Sequence, residues 1–365
     1  MRWIDRASAG TREHFVAVCA VSAITVIFFL PVLRGQSFSM VGAHMFAQYP
    51  WTTLIKKSPE VRGIGFPQTD QADYYYPNSV FATNAVRSGQ YPMWLPYNFS
   101  GVPQMQSDPG AGLLYPPKVA AMFFLSPIRQ HDLMLFAHLL LAGLGMYALL
   151  RSWGAHVVGA VFGAIVWEFH GRNSFWLTME FITIATAWLP LMLLGATLAV
   201  RKQSVPWAVA TGIALAMTVS IGLHDTYLNS VLLAGWFLGL TIPAARRLFL
   251  EGQRRSAMIC LSLPVIACLT ALALSAPSWL LLVDLVSHIN RRPLALADQL
   301  ERTAPFRPFI SALIFPESST GPVGKPIDYP AFTFVGVPAL IFTVPGLFRR
   351  SALGALAIIT GAISL

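Results

Sequence analysis

Residues Gln68 to Pro117 read QTDQADYYYPNSVFATNAVRSGQYPMWLPYNFSGVPQMQSDPGAGLLYPP. The stretch holds two close carboxylates, Asp70 and Asp73, a tyrosine run from Tyr74 to Tyr76, repeated Pro and Gly breaks and several amide side chains. The rest of the chain is mostly apolar. Of its 365 residues 55% are hydrophobic and 11% charged, with a mean hydropathy of +0.59, whereas soluble domains carry roughly 25% charged residues. The composition is that of an all-α integral membrane protein, and the polar stretch belongs to a loop between its helices. Loops held on a rigid scaffold are where binding and catalysis concentrate, so this one reads as the working part.

One bilayer crossing takes about 20 apolar residues. Runs of that kind fall near 14–33, 131–151, 156–170, 179–200, 205–223, 224–245, 256–280, 332–348 and 351–365, predicting about nine transmembrane helices in a polytopic bundle. Val119 to Leu125 is apolar but too short to cross, and reads as re-entrant or surface-lying. The chain then divides into an N-terminal segment 1–13, a first helix 14–33, a long first loop 34–130, helices with short loops over 131–286, a second large loop 287–331 and further helices over 332–365. The last run, Ser351 to Leu365, is short and has nothing polar to close it, which reads as a piece of a longer protein.

Basic residues are retained on the cytoplasmic side of short loops. With the N-terminus inside and the helices alternating, the inside segments hold Arg2, Arg6, Arg12, Arg151, Arg201, Lys202, Arg246, Arg247, Arg254, Arg255, Arg349 and Arg350 against Asp5, Glu13 and Glu251, so the whole net charge of +9 falls on one face. The basic balance is thus an insertion signal in a multi-pass plasma (inner) membrane protein. It is not a nucleic-acid footprint, because no basic stripe is interleaved with aromatics. The first helix, preceded by Arg2, Arg6 and Arg12 and followed by no small-residue cleavage site, reads as an uncleaved signal-anchor. Cys19, Cys260 and Cys268 all lie in apolar runs and read as packed thiols. Phosphate-binding glycine loops, zinc spacings and a serine, histidine and acid triad are not evident.

This orientation places most of the polar residues at the outer face: Asp70, Asp73, His131, Asp132, His170, Arg172, Glu180, His224, Asp225, His288, Arg291, Arg292 and Arg302. A transporter places polar groups near mid-membrane on broken helices, whereas a loaded outer face fits a reaction site at the interface. Asp70 and Asp73 suit a helix start before the tyrosines, or a general base or metal-binding carboxylate beside a membrane-held substrate. Tyr75, Tyr76, Tyr91, Trp94 and Tyr97 suit an interfacial belt or a sugar-stacking surface. His224 and Asp225 form a polar hairpin turn or part of a site, and a lone His138 about 10 Å inside its helix reads as a packing residue. Arg291, Arg292 and Arg302 are solvated loop charges or clamps for a lipid phosphate, which arginine binds through paired hydrogen bonds.

In order along the chain, Asp70 seven residues before Pro77, Arg87 to Tyr97 (RSGQYPMWLPY), Gly101 to Pro103, Leu114 to Pro117, His138 with Leu141 to Gly143, Ala187 to Leu191, the Gly222 to Tyr227 hairpin, Ala276 to Ser287 and Phe334 to Pro338 together resemble the bacterial YfhO family. That family reads as an aspartate before an aromatic run ending in Pro, then G-x-L-P-L-W-N-P-Y, G-G-x-P and F-Y-P-P. The sequence departs from it at Tyr74, where the family has glutamine, at Leu95, where it has asparagine, and at Leu223 and Asp225 in its G-H-P-Q hairpin. The resemblance implies a GT-C-like helical bundle with a long first extracytoplasmic loop. It implies a membrane glycosyltransferase that uses a polyprenyl-phosphate-linked sugar donor and a cell-envelope polymer or glycan acceptor. Reaction would be a single inverting displacement, with Asp70 as base and Asp73 beside it. Tyr74, Trp94, His170, His224 and Asp225 are then candidates for substrate binding, and Arg291, Arg292 and Arg302 for the lipid phosphate. No cofactor is specified, and a divalent cation, magnesium or manganese, stays open. The alternatives are a lipid-linked-sugar transporter or flippase and an envelope-assembly scaffold.

Overall fold

The computed structural model describes residues 10–42, 70–98, 100–104, 111–222 and 226–288. Helix α1 (Thr11–Phe28) and the single turn α2 (Leu30–Leu33) come first. The polar stretch begins with a π-helical turn, Gln71–Tyr75, that runs directly into α3 (Tyr76–Arg87). A minimal antiparallel hairpin follows, β1 (Trp94–Leu95) on β2 (Val102–Pro103), with Trp94 opposite Pro103. Helix α4 (Pro116–Phe124) ends the stretch.

The bundle proper consists of α5 (Pro127–Ser152), α6 (Val157–Glu168), α7 (Gly171–Phe175) with a short 3-10 turn after it, α8 (Glu180–Ala187), α9 (Leu189–Lys202), α10 (Val205–Ile221), α11 (Thr226–Leu250), α12 (Arg254–Leu274) and α13 (Ala276–Ser287). Many of these helices start on a proline in the first two positions, among them Pro77, Pro116, Pro127, Pro190, Pro206 and Pro277. Proline is tolerated there because the first helical N–H groups have no intrahelical acceptor. Gln203 in the left-handed region ends α9.

Among the described residues five helical stretches are long and apolar enough to cross a membrane: α1, α5, α8 continued by α9, α11 and α12. The protein is a helical membrane protein. The predicted run 156–170 is a helix of only 12 residues, the run 205–223 one of 17, and the run 256–280 divides at Ser275 into α12 and α13. The predicted runs 332–348 and 351–365 lie outside the described residues. The short patch Val119 to Leu125 is most of α4.

Between helices in lipid there is little hydrophobic drive, so close backbone approach and polar contacts hold them together. At Gly195 a Cβ atom would lie 2.5 Å from Thr211 Oγ1, and at Gly212 one would lie 2.5 Å from the Ala267 carbonyl oxygen, so α9 meets α10 and α10 meets α12 almost backbone to backbone. Trp236 Nε1–H donates to Thr197 Oγ1 at 3.0 Å across the same core. Ile242, Val265, Leu269 and Val283 are each more than half exposed on the outside, as lipid-facing side chains are. His14 at the start of α1 pairs with Tyr147 near the end of α5 at 2.7 Å, and Arg201 at the end of α9 donates to the Ser152 carbonyl and lies 4.1 Å over Trp153. The start of α1 and the ends of α5 and α9 therefore meet at one end of the bundle, where Arg12, Arg151, Arg201 and Lys202 gather.

Candidate functional site

The polar stretch is fixed to the other end of the bundle by its own side chains. Arg87 Nε donates to the Met122 carbonyl at 2.8 Å and its Nη2 to the Leu125 carbonyl at 2.7 Å, tying α3 to the last turn of α4. Gln130 on α5 donates to the same Leu125 carbonyl at 2.8 Å and to Thr83 at 3.0 Å. Asp132 accepts from Ser37 Oγ at 2.9 Å, from the Phe38 N–H at 3.1 Å and from Arg129 at 3.2 Å, so this carboxylate is a staple for the chain leaving α1.

Asp70 starts the π-helical turn, and its exposed side chain makes no capping hydrogen bond there. Asp73 is exposed one turn further on. Isolated π-helical turns recur at functional sites because they shift side chains out of the regular helical register. Tyr74 is half-buried and meets Tyr75 edge-on at 5.3 Å, while Tyr75 reaches inward to Phe181 of α8 at 5.0 Å.

Directly beneath this turn lies a buried ionic cluster. Lys118 on α4 pairs with Glu180 Oε1 at the start of α8, and His131 Nδ1 in the first turns of α5 contacts Glu180 Oε2 at 2.8 Å. Lys118 is 1% exposed, His131 4% and Glu180 8%, so no water competes for these bonds. One carboxylate thus receives an ammonium on one oxygen and an imidazole N–H on the other. A carboxylate that holds Nδ1–H orients the ring. Among the described residues His131 Nε2 has no hydrogen-bond partner. Gln71, Tyr75, Tyr76, Ser79, His131 and Glu180 line a cavity of about 20 Å³ here, room for about one water molecule.

A second chain beside it is complete. Tyr115 O–H meets His138 Nε2 at 2.5 Å, His138 Nδ1–H donates to the Met134 carbonyl at 2.7 Å, and Trp188 Nε1–H donates to the Tyr115 oxygen at 3.0 Å. Burial pushes the Tyr115 hydroxyl well above the usual tyrosine range, so it stays a donor. His138 is accordingly a satisfied packing residue, as expected of a lone histidine inside a helix.

On the exposed side, α3 and the hairpin enclose an open groove of about 490 Å³ lined by Phe81, Asn84, Ser88, Tyr91, Met93 and Trp94. Trp94 is 55% exposed, and its indole lies against Gly101, whose φ of +112° and lack of a side chain allow the contact. Tyr91 donates to the Leu113 carbonyl, and burial raises its hydroxyl above the ordinary value.

His170 stands apart from this group. It sits between α6 and α7, its ring stacked on Trp167 at 4.9 Å and its Nδ1 2.6 Å from the Trp167 carbonyl oxygen. His224, Asp225, Arg291, Arg292 and Arg302 lie outside the described residues. Among the described residues no three His, Cys, Asp or Glu side chains are grouped to hold a metal ion. Sequence reasoning placed His131 and Glu180 at the outer face without joining them, and passed over Lys118, although it directly follows the Leu114 to Pro117 motif. Glu168, fully buried at the end of α6, was also missed. Comparison with family models, with curated proteins and with solved structures finds no match for the chain, so its reading rests on these residues.

Proposed function

We propose that the protein is a membrane glycosyltransferase of the GT-C type, resembling the YfhO family, with its N-terminus cytoplasmic and about nine transmembrane helices. In this reading it moves a sugar from a polyprenyl-phosphate-linked donor to a cell-envelope acceptor on the extracytoplasmic side of the plasma membrane. The observation that carries it is the polar stretch folded as a cap over the helix ends, with a buried Lys118, Glu180 and His131 cluster beneath its π-helical turn. A transferase using a membrane-borne donor needs this combination: a rigid support, an acceptor side open to water and a base beside it.

The reaction is one in-line displacement. The acceptor oxygen bonds to the anomeric carbon as the bond to the lipid phosphate breaks, the phosphate leaves with the electron pair, and the acceptor proton passes to a carboxylate. Asp70 is that base, with Asp73 beside it and Tyr74 on the same turn, and the 490 Å³ groove with Trp94, toward the other end of α3, stacks a more distant part of the acceptor chain. Arg291, Arg292 and Arg302 stabilise the departing phosphate. No step is assigned to a divalent cation.

The test is transfer of radiolabelled sugar from a polyprenyl-phosphate pool in membranes carrying the full-length protein. Transfer with the native chain and at least a hundredfold loss in Asp70→Asn, at equal expression, is expected, a general base contributing about 10²–10⁴-fold. Equal labelling in both removes Asp70 from the mechanism. No labelling with any donor tried shifts the weight to the second reading, a lipid-linked-sugar transporter, which the short helix α6 ending on a buried Glu168 favours.

A further inference from the structure

Glu168 is 0% exposed where α6 stops, and three helices meet on it. Its Oε1 lies 2.5 Å from Thr25 Oγ1 of α1, and a Cβ added at Gly143 of α5 would lie 2.5 Å from its Oε2. Among the described residues Oε2 has no hydrogen-bond partner, and no charged side chain acts on the carboxyl, only burial and the Thr25 hydroxyl. The site is deep. Gly143 is twelve residues beyond His131 and eight before Arg151 on α5, about 18 Å and 12 Å along the axis, and Thr25 is thirteen residues beyond Arg12 on α1, about 20 Å.

A carboxylate without a cation at that depth is among the costliest groups a membrane protein can hold, and such a group takes up a proton instead. Hydrogen accounting leads to the same state. Thr25 Oγ1 is 3.1 Å from the Val21 carbonyl oxygen and 2.5 Å from Glu168 Oε1, yet a hydroxyl has one proton to give. Both contacts are hydrogen bonds only if Glu168 supplies the second proton.

We propose that Glu168 is a proton-binding site inside the membrane, a carboxylic acid that donates to Thr25 Oγ1, which in turn donates to the Val21 carbonyl. The inference is independent of sugar transfer. With the proton bound, the neutral acid clamps α1 onto α5 and α6. Without it, the charge can be solvated only by water entering between these helices, so the proton holds α1 in place.

The experiment is infrared spectroscopy of the full chain in lipid vesicles at neutral pH. The wild type minus Glu168→Gln difference is expected to contain the carbonyl stretch of one protonated carboxylic acid, and Thr25→Val is expected to shift that band to higher frequency without removing it. A difference showing carboxylate stretches alone means that Glu168 is ionised and overturns the proposal. A band that Thr25→Val leaves unmoved removes the Thr25 hydrogen bond and overturns the proposal as well. If Glu168→Gln does not yield folded protein, the wild type against Thr25→Val still decides, since a displaced acid carbonyl band supports the site and its absence overturns it.

Discussion

At the scale of single residues, the Lys118, Glu180 and His131 cluster shows how a buried charge constrains a fold. Removing one member of a buried ion pair leaves the other uncompensated, at a cost of about 3–5 kcal/mol, whereas replacing both members with apolar groups of similar size is often neutral. Lys118→Met is therefore expected to lower unfolding stability by about that amount, and Lys118→Met with Glu180→Leu to recover much of the loss. Thermal unfolding of the purified protein in detergent measures both, and equal stability of Lys118→Met and wild type would mean that the pair is not closed in solution. The sequence made His131 and Glu180 visible as polar residues at helix ends, because an ionisable group beside an apolar run stands out. It did not make their pairing visible, since the partners are 49 and 62 residues apart and only the folded bundle brings them together. Lys118 was hidden by its neighbours, a cation on a short helix that looked like a surface patch.

At the scale of elements, the helices are as close as their glycines allow. Gly212→Ala would place a methyl group 2.5 Å from the Ala267 carbonyl and against Thr270, forcing α10 from α12. Such overpacking costs about 1–3 kcal/mol, and it is expected to lower the unfolding midpoint in the same assay. Gly235→Ala on α11, where a Cβ meets nothing within 4 Å, is the control and is expected to leave the midpoint unchanged or slightly raised. A loss equal in the two variants would assign the effect to something other than helix contact. The existence of the long helices was legible from apolar runs, which average over about 20 residues. Their interruptions were not, for the same reason: the breaks at Phe169, Trp188 and Ser275 fall inside apolar windows, and only Pro190 and Pro277 just beyond two of them hinted at a new start.

At the scale of the whole molecule, Arg12, Arg151, Arg201 and Lys202 lie at one end of the bundle and the polar cap, with its own Arg87, Lys118 and Arg129, at the other. If the basic end is cytoplasmic, a membrane-impermeant thiol reagent applied to intact cells labels Ser88→Cys and reaches Gln253→Cys only after permeabilisation, in a background where Cys19, Cys260 and Cys268 are replaced by alanine. The reverse pattern would invert the orientation. Both positions are exposed, so a failure to label is informative about side rather than burial. The contact between Thr25 and Glu168 also has a bearing on synthesis. The two residues are 143 positions apart, which at about 5–20 residues per second is an interval of roughly 7–30 s. During that interval α1 is made with nothing to dock against, and the polar segment after it is made before the helices that will support it exist. Glu168 arrives last of the three contributors to that junction, so its burial marks the moment when the first helix stops being a tether and becomes part of the bundle.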